Sequence, residues 1–389
     1  HERINIAGFQ APGAAPKAAT WSLEASDVDA LMEKLRRVGV PLAEFAGVKP
    51  YYGIKTGLNE AFLIDTPTKE RLVREDPRSA EIIKPYLRGQ DIKRWSPEWD
   101  GMSIILLKSS GNFDWPWSSH PNDAETIFAQ QYPSIFSFIK PLESKLRDRQ
   151  DKGKYWWELR ACGYYEAFAI SKIMYQVIQF HPQYGIDTTS ALTNDKGFFL
   201  PIADSWIISV LNSPLMWWHN WRYLPHMKDE ALNPAGVLME KLPIAPPTDD
   251  QRAEVEPAIQ RLIVITQADQ QARRDTIDWL RTEFGIATPG QKLEAFSTLD
   301  EQAFIEEVRK RRAKSLGKLT PAGLRALRDG YREQAQPIQE RRREALGLER
   351  RLAAIVNAAY GLTQEEIDLL WRTAPPRMPV GRGEGDDKP

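Results

Sequence analysis

Residues 51–65 read YYGIKTGLNEAFLID, and the reading of this stretch decides the fold. Apolar, β-prone residues flank a polar turn that carries Lys55, Thr56 and Asn59. The pattern predicts one strand leading into the turn and another leading out of it. Gly53 and Gly57 permit a positive φ or the close approach of another backbone. Lys, Thr and Asn side chains bond phosphates and base edges alike, so the turn is a candidate nucleic-acid contact. A polar hairpin turn facing only water is the plainer reading of the same residues. The GxxxxGK[ST] pattern of a phosphate-binding loop is absent.

Downstream, residues 82–95 read IIKPYLRGQDIKRW. Lys84, Arg88, Gln90, Lys93 and Arg94 crowd this short segment, punctuated by Pro85 and Gly89. Such a cluster neutralises phosphates and leaves Arg or Gln for bidentate base contacts. The alternative is a solvated basic loop, or one paired with Asp91, Glu98 and Asp100. The aromatics of residues 154–178 are set among apolar, strand-like neighbours and read as core, with Lys172 starting a buried strand. Residues 180–201 lack helical order and carry Thr188, Thr189, Asn194 and Lys196, a loop suited to base readout. Trp217, Trp218 and Trp221 read as packing residues, with one available as a wedge at a DNA surface.

The 389 residues suffice for two domains. A net charge of -1 does not advertise a nucleic-acid binder, but contact depends on a local basic face. Cys162 is the only cysteine, so the chain forms no internal disulfide and no Cys-based zinc site. That composition suits a reducing, cytoplasmic setting, and no apolar run is long enough to span a bilayer. Because the first residue is His1 and no secretory signal comes after it, the chain reads as a piece of a longer protein.

The expected fold class is α+β: a mixed α/β recognition domain, then a mainly helical C-terminal extension. Residues 1–44 read as linker and connecting helix, 45–247 as the recognition domain, 248–374 as the helical extension and 375–389 as a disordered tail. Strands are predicted at 51–54, 61–64, 103–107, 172–176 and 197–200, and helices at 68–75, 126–128, 134–149 and 202–220. In the extension, helical patterns cover 251–284, 299–345 with breaks and 348–360; Pro321 suits a helix start, and Thr363 with Glu366 forms a capping box. Residues 308–318, VRKRRAKSLGK, read as a solvated helix face or a phosphate grip.

Several segments, taken in order, carry a family resemblance: GIKTGLNEAFLID, SAEIIKPYLRGQDIKRW, WELR, YYEAF, KIMYQ, VLNSP and LPIAPP. Over residues 21–247 the chain closely resembles the C-terminal specificity domain of TaqI-like and Eco57I-like DNA adenine-N6 methyltransferases. The resemblance implies double-stranded DNA as partner, in restriction–modification or phage defence. It also implies an upstream methyltransferase domain that binds S-adenosylmethionine and flips an adenine. This chain has no NPPY-type motif; its nearest strings, NSPL at Asn212 and NPAG at Asn233, lack the stacking aromatic. No cofactor, metal or catalytic residue is therefore expected here. A helical module docking a nuclease, a translocase or a second copy is the alternative. A hydrolase using His181, His219 or His226 is a third reading, and it lacks any nucleophile motif.

Overall fold

The computed structural model describes residues 26–381, so the linker expected at 1–20 lies outside the described residues. The chain divides into two compact units, one running to Val255 and resuming at Ala353, the other spanning Glu256–Leu352. The class is α+β. The extension expected at 248–374 is shared between the two units, because the chain from Ala353 onward, last helix included, returns to the first.

The first unit holds two four-stranded sheets. One is antiparallel throughout and orders Tyr51–Tyr52, Gly197–Leu200, Lys172–Gln176 and Tyr184–Asp187. Its inner strand KIMYQ carries the β-prone Ile173 and Tyr175 and buries four of its five side chains. The other orders Leu63–Ile64, Ser103–Ile105, Ile83–Leu87 and Leu192–Thr193, with the last pair parallel. Pro85 obscured the strand Ile83–Leu87 in the sequence. It pairs only with Ser103, and the second neighbour joins at Tyr86, so its missing N–H costs no ladder bond.

Several segments differ from expectation, among them the helix predicted at 202–220, which is two helices, Ser205–Leu211 and Pro214–Tyr223. Residues 61–64 begin as a helical turn, Asn59–Phe62, before the short strand. Ahead of the expected strand Gly197–Leu200, the stretch read as a loop holds two further strands, Tyr184–Asp187 and Leu192–Thr193. The helix Thr66–Glu75 starts two residues earlier than predicted, because the Asp65 carboxylate caps it by accepting from Thr68 N at 2.9 Å.

The core between these elements is aromatic. Trp117, Trp157 and Phe128 are buried, and Trp157 stacks on both Phe128 and Tyr155. Glu158 of the WELR segment sits inside this core, fully buried. It accepts from Ser110 N, Lys154 N, Tyr155 N, Trp117 Nε1 and Ser110 Oγ, which offsets the loss of its hydration. The tail is partly ordered rather than disordered from 375 on. Pro376 O accepts from Trp217 Nε1 at 3.0 Å and Val380 is buried.

In the second unit, Arg261 pairs with Glu344 at 2.6 Å and Arg341 with Asp269 at 2.5 Å, joining the long helices Asp249–Phe284 and Pro321–Ala359. Leu280, Phe304, Leu327 and Tyr331 share its core. Within 308–318, Arg311 bonds Glu307, and Arg312 donates to the carbonyls of Leu316 and Gly317. Arg309 and Lys310 remain exposed. No helix among the described residues is long and apolar enough to cross a membrane.

Candidate nucleic-acid interface

The two sheets meet where the Gly53 turn crosses the turn before Gly197. Gly53 N donates to Gly197 O at 3.0 Å and Ile54 N to Thr193 O at 2.7 Å. A Cβ on Gly53 would lie 2.1 Å from Asn194 O and 2.2 Å from Thr193 O, so only glycine admits this crossing. Gly57 has a different reason for its identity, a φ of +67°.

Arg149 fixes the far side of the turn. Its buried guanidinium donates to Thr56 O at 2.6 Å, to Trp156 O at 3.0 Å and to Glu158 O, and lies 4.6 Å from the centre of the Phe62 ring. Burial pushes its pKa down to about 10. Thr56 is buried and donates its hydroxyl to Asn59 Oδ1 at 2.6 Å, which sets the orientation of the exposed Asn59 amide. On the opposite turn, Lys196 N donates to Asn194 Oδ1 at 3.0 Å.

Between the two turns lies an open cleft of about 420 Å3, lined by Lys55, Thr56, Asn59, Asn194, Asp151 and Asp195 among others. The structure thus brings together Lys55, Thr56, Asn59 and Asn194, which lie far apart in sequence. The lining is not net positive: Lys55 shares it with two carboxylates, and Asp151 also meets Arg160 at 3.3 Å. Asn amides and Asp carboxylates together offer the donors and acceptors that read base edges, adenine with Asn and cytosine N4 with Asp. Asp151 was not legible as a site residue, and neither was Arg149, because the run RDRQDKGK looks like a solvated linker.

The remaining candidates are spread more widely. Gln90 is exposed on the turn Gly89–Asp91, and Gly89 packs against the exposed Lys196. Lys84 lies half-buried on its strand, and Lys93 is half-buried. Arg94 lies over the Trp95 ring, 4.8 Å from its centre.

Lys172 is corrected, and Arg88 already has partners. Arg88 bonds Asp91 through Nε and Nη2, both at 3.0 Å, and Asp100 at 2.7 Å, so its fork is already occupied by carboxylates. Lys172 is fully buried, bonded to Asp187 at 2.5 Å and to Phe168 O at 2.9 Å, and no ligand reaches it. Asp187 in turn accepts from Thr189 N, Thr189 Oγ1 and Ala191 N. It thereby moulds the turn on which Thr188 and Thr189 stand exposed.

Two of the histidines have local partners. His219 is buried and its ring nitrogen meets Asn220, while His226 Nε2 meets Trp221 O. Asn212 of the NSPL string clamps the strand at Tyr184, accepting from its N–H and donating to its carbonyl. Its side-chain amide is therefore committed to the fold. No cluster of three or more metal-ligating side chains occurs among the described residues.

The family described as a domain of unknown function (DUF8810) matches residues 248–356, a range that contains none of the residues lining the cleft. No curated protein matches the chain. Among solved structures, the chain is similar to one described as the type IIL restriction–modification enzyme MmeI in complex with DNA. The two share 11% identity with a TM-score of 0.43, and the match covers 84% of this chain and 35% of that one. The chain therefore spans well under two thirds of that enzyme's length.

Proposed function

We propose that this chain is the sequence-reading module of a site-specific adenine-N6 DNA methyltransferase, working in the cytoplasm within restriction–modification or phage defence. The observation that carries this reading is the crossing of the GIKTGLN turn with the Thr193–Lys196 turn around a polar cleft. The turn of one segment that resembles the specificity domain thereby meets a second polar turn. Asn59 and Asn194 would read base edges, while Lys55 and Lys196 would meet the backbone. A separate methyltransferase domain of the same protein would bind S-adenosylmethionine and supply the chemistry. Flipping an adenine costs a few kcal/mol, and a module that grips the duplex at one sequence offsets that cost only there.

The test is duplex binding by fluorescence anisotropy, followed by selection from a randomised duplex pool. The expected result is affinity that falls steeply with salt and a selected pool enriched in one short motif. Absence of duplex binding at about 50 mM salt, where phosphate contacts are strong, would overturn the proposal.

A further inference from the structure

The link between the strands Lys172–Gln176 and Tyr184–Asp187 carries a feature that the cleft does not use. Ile178 and Phe180 are each 41% exposed, while Gln179 between them is 1% exposed. This backbone is held firmly, because Gln179 exchanges two backbone hydrogen bonds with Leu232, of 2.9 and 2.8 Å. Large apolar side chains on a fixed, exposed ridge need a partner surface to leave water.

The surroundings indicate which partner. The Arg377 guanidinium lies over the Phe180 ring, 5.2 Å from its centre, and donates to Asp229 O at 3.4 Å. His181 is the next residue and feels the charges of Arg94, Arg377 and Lys93. Arg94 also reaches Pro182 O, at 3.5 Å. Arg377 thus covers an exposed phenyl ring and Arg94 bonds the same ridge two residues further on, while Asp229, whose carbonyl accepts from Arg377, and Glu230 are exposed. Phosphates beside an apolar wedge are what nucleic acid offers to such a surface, since apolar side chains enter partly unstacked base steps.

We propose that this ridge is a second DNA contact, in which Lys93, Arg94 and Arg377 meet backbone phosphates and Phe180 inserts at a weakly stacked or mispaired step. The inference rests on the reading of the chain as a duplex binder. The probe is a pair of duplexes of one sequence, fully paired or carrying a single mismatch, bound by the full chain across a salt series. The wild-type chain is expected to favour the mismatched duplex by about tenfold, because the mismatch has already met the unstacking cost. Phe180→Ala is expected to lose that preference and keep the salt slope. Arg377→Gln, which leaves the ring in place, is expected to keep the preference and flatten the slope. Equal binding of the two duplexes by the wild-type chain, or an unchanged preference in Phe180→Ala, would overturn this proposal and leave duplex recognition standing. Failure to bind either duplex would overturn both.

Discussion

A methyl group at position 53 has nowhere to go. It would stand about 2 Å from two carbonyl oxygens of Thr193 and Asn194, and neither belongs to a flexible side chain. Gly53→Ala is expected to cost about 1–3 kcal/mol, as overpacking usually does, and to loosen the crossing that forms the cleft. Urea unfolding of the variant measures the first effect; an unchanged midpoint would contradict it. Lys172 is the second residue whose role is structural. Lys172→Met leaves the Asp187 carboxylate buried without its cation and is expected to cost about 3–5 kcal/mol. Stability equal to wild type would show that the pair contributes nothing to the fold.

At the scale of elements, the helix Pro214–Tyr223 is buried on nearly every face and carries His219 within it. Burial holds the pKa of His219 down to about 4, against an ordinary 6.5. The unfolded chain therefore takes up the proton first as pH falls, and the fold loses stability between pH 6.5 and about 4. The expected loss is about 3 kcal/mol by proton linkage, and His219→Gln should lack it over the same window. Parallel pH–stability curves for the two proteins would refute this. The turn Thr193–Lys196 is the element that should separate readout from grip. Asn194→Ala is expected to change which sequence is selected. Lys196→Ala should weaken all duplexes alike and flatten the salt slope by about 1. The same selected motif from both variants would remove this turn from base readout.

For the molecule as a whole, the last stretch of chain matters more than its polar sequence suggests. Tyr360 OH bonds Pro243 O, Lys34 bonds Glu366 at 2.6 Å, and Trp218 Nε1 bonds Thr373 Oγ1 at 2.9 Å. All of these contacts lie within the first unit. A chain ending at Leu352 is expected to melt well below the full chain, because losing Tyr360, Leu369 and Leu370 leaves a buried apolar face open. Calorimetry would check this, and an unchanged transition would mean that the segment is an appendage.

Local pattern alone determined the strands at 172–176 and 197–200, the helix start at Pro321 and the capping box at Thr363, because each rests on periodicity or on a bond spanning three residues. It also marked Gly53 and Gly57 as special. Which property each glycine supplies was decided only by the crossing chain. Tertiary structure likewise decided that Arg88 and Lys172 face carboxylates, and that Arg149 and Glu158 are buried supports. It also set Asp151 and the Asn194–Asp195 turn beside Asn59. A side chain's charge is written in its identity, but its partner is set by contacts between residues distant in sequence, and those exist only once both sheets have formed.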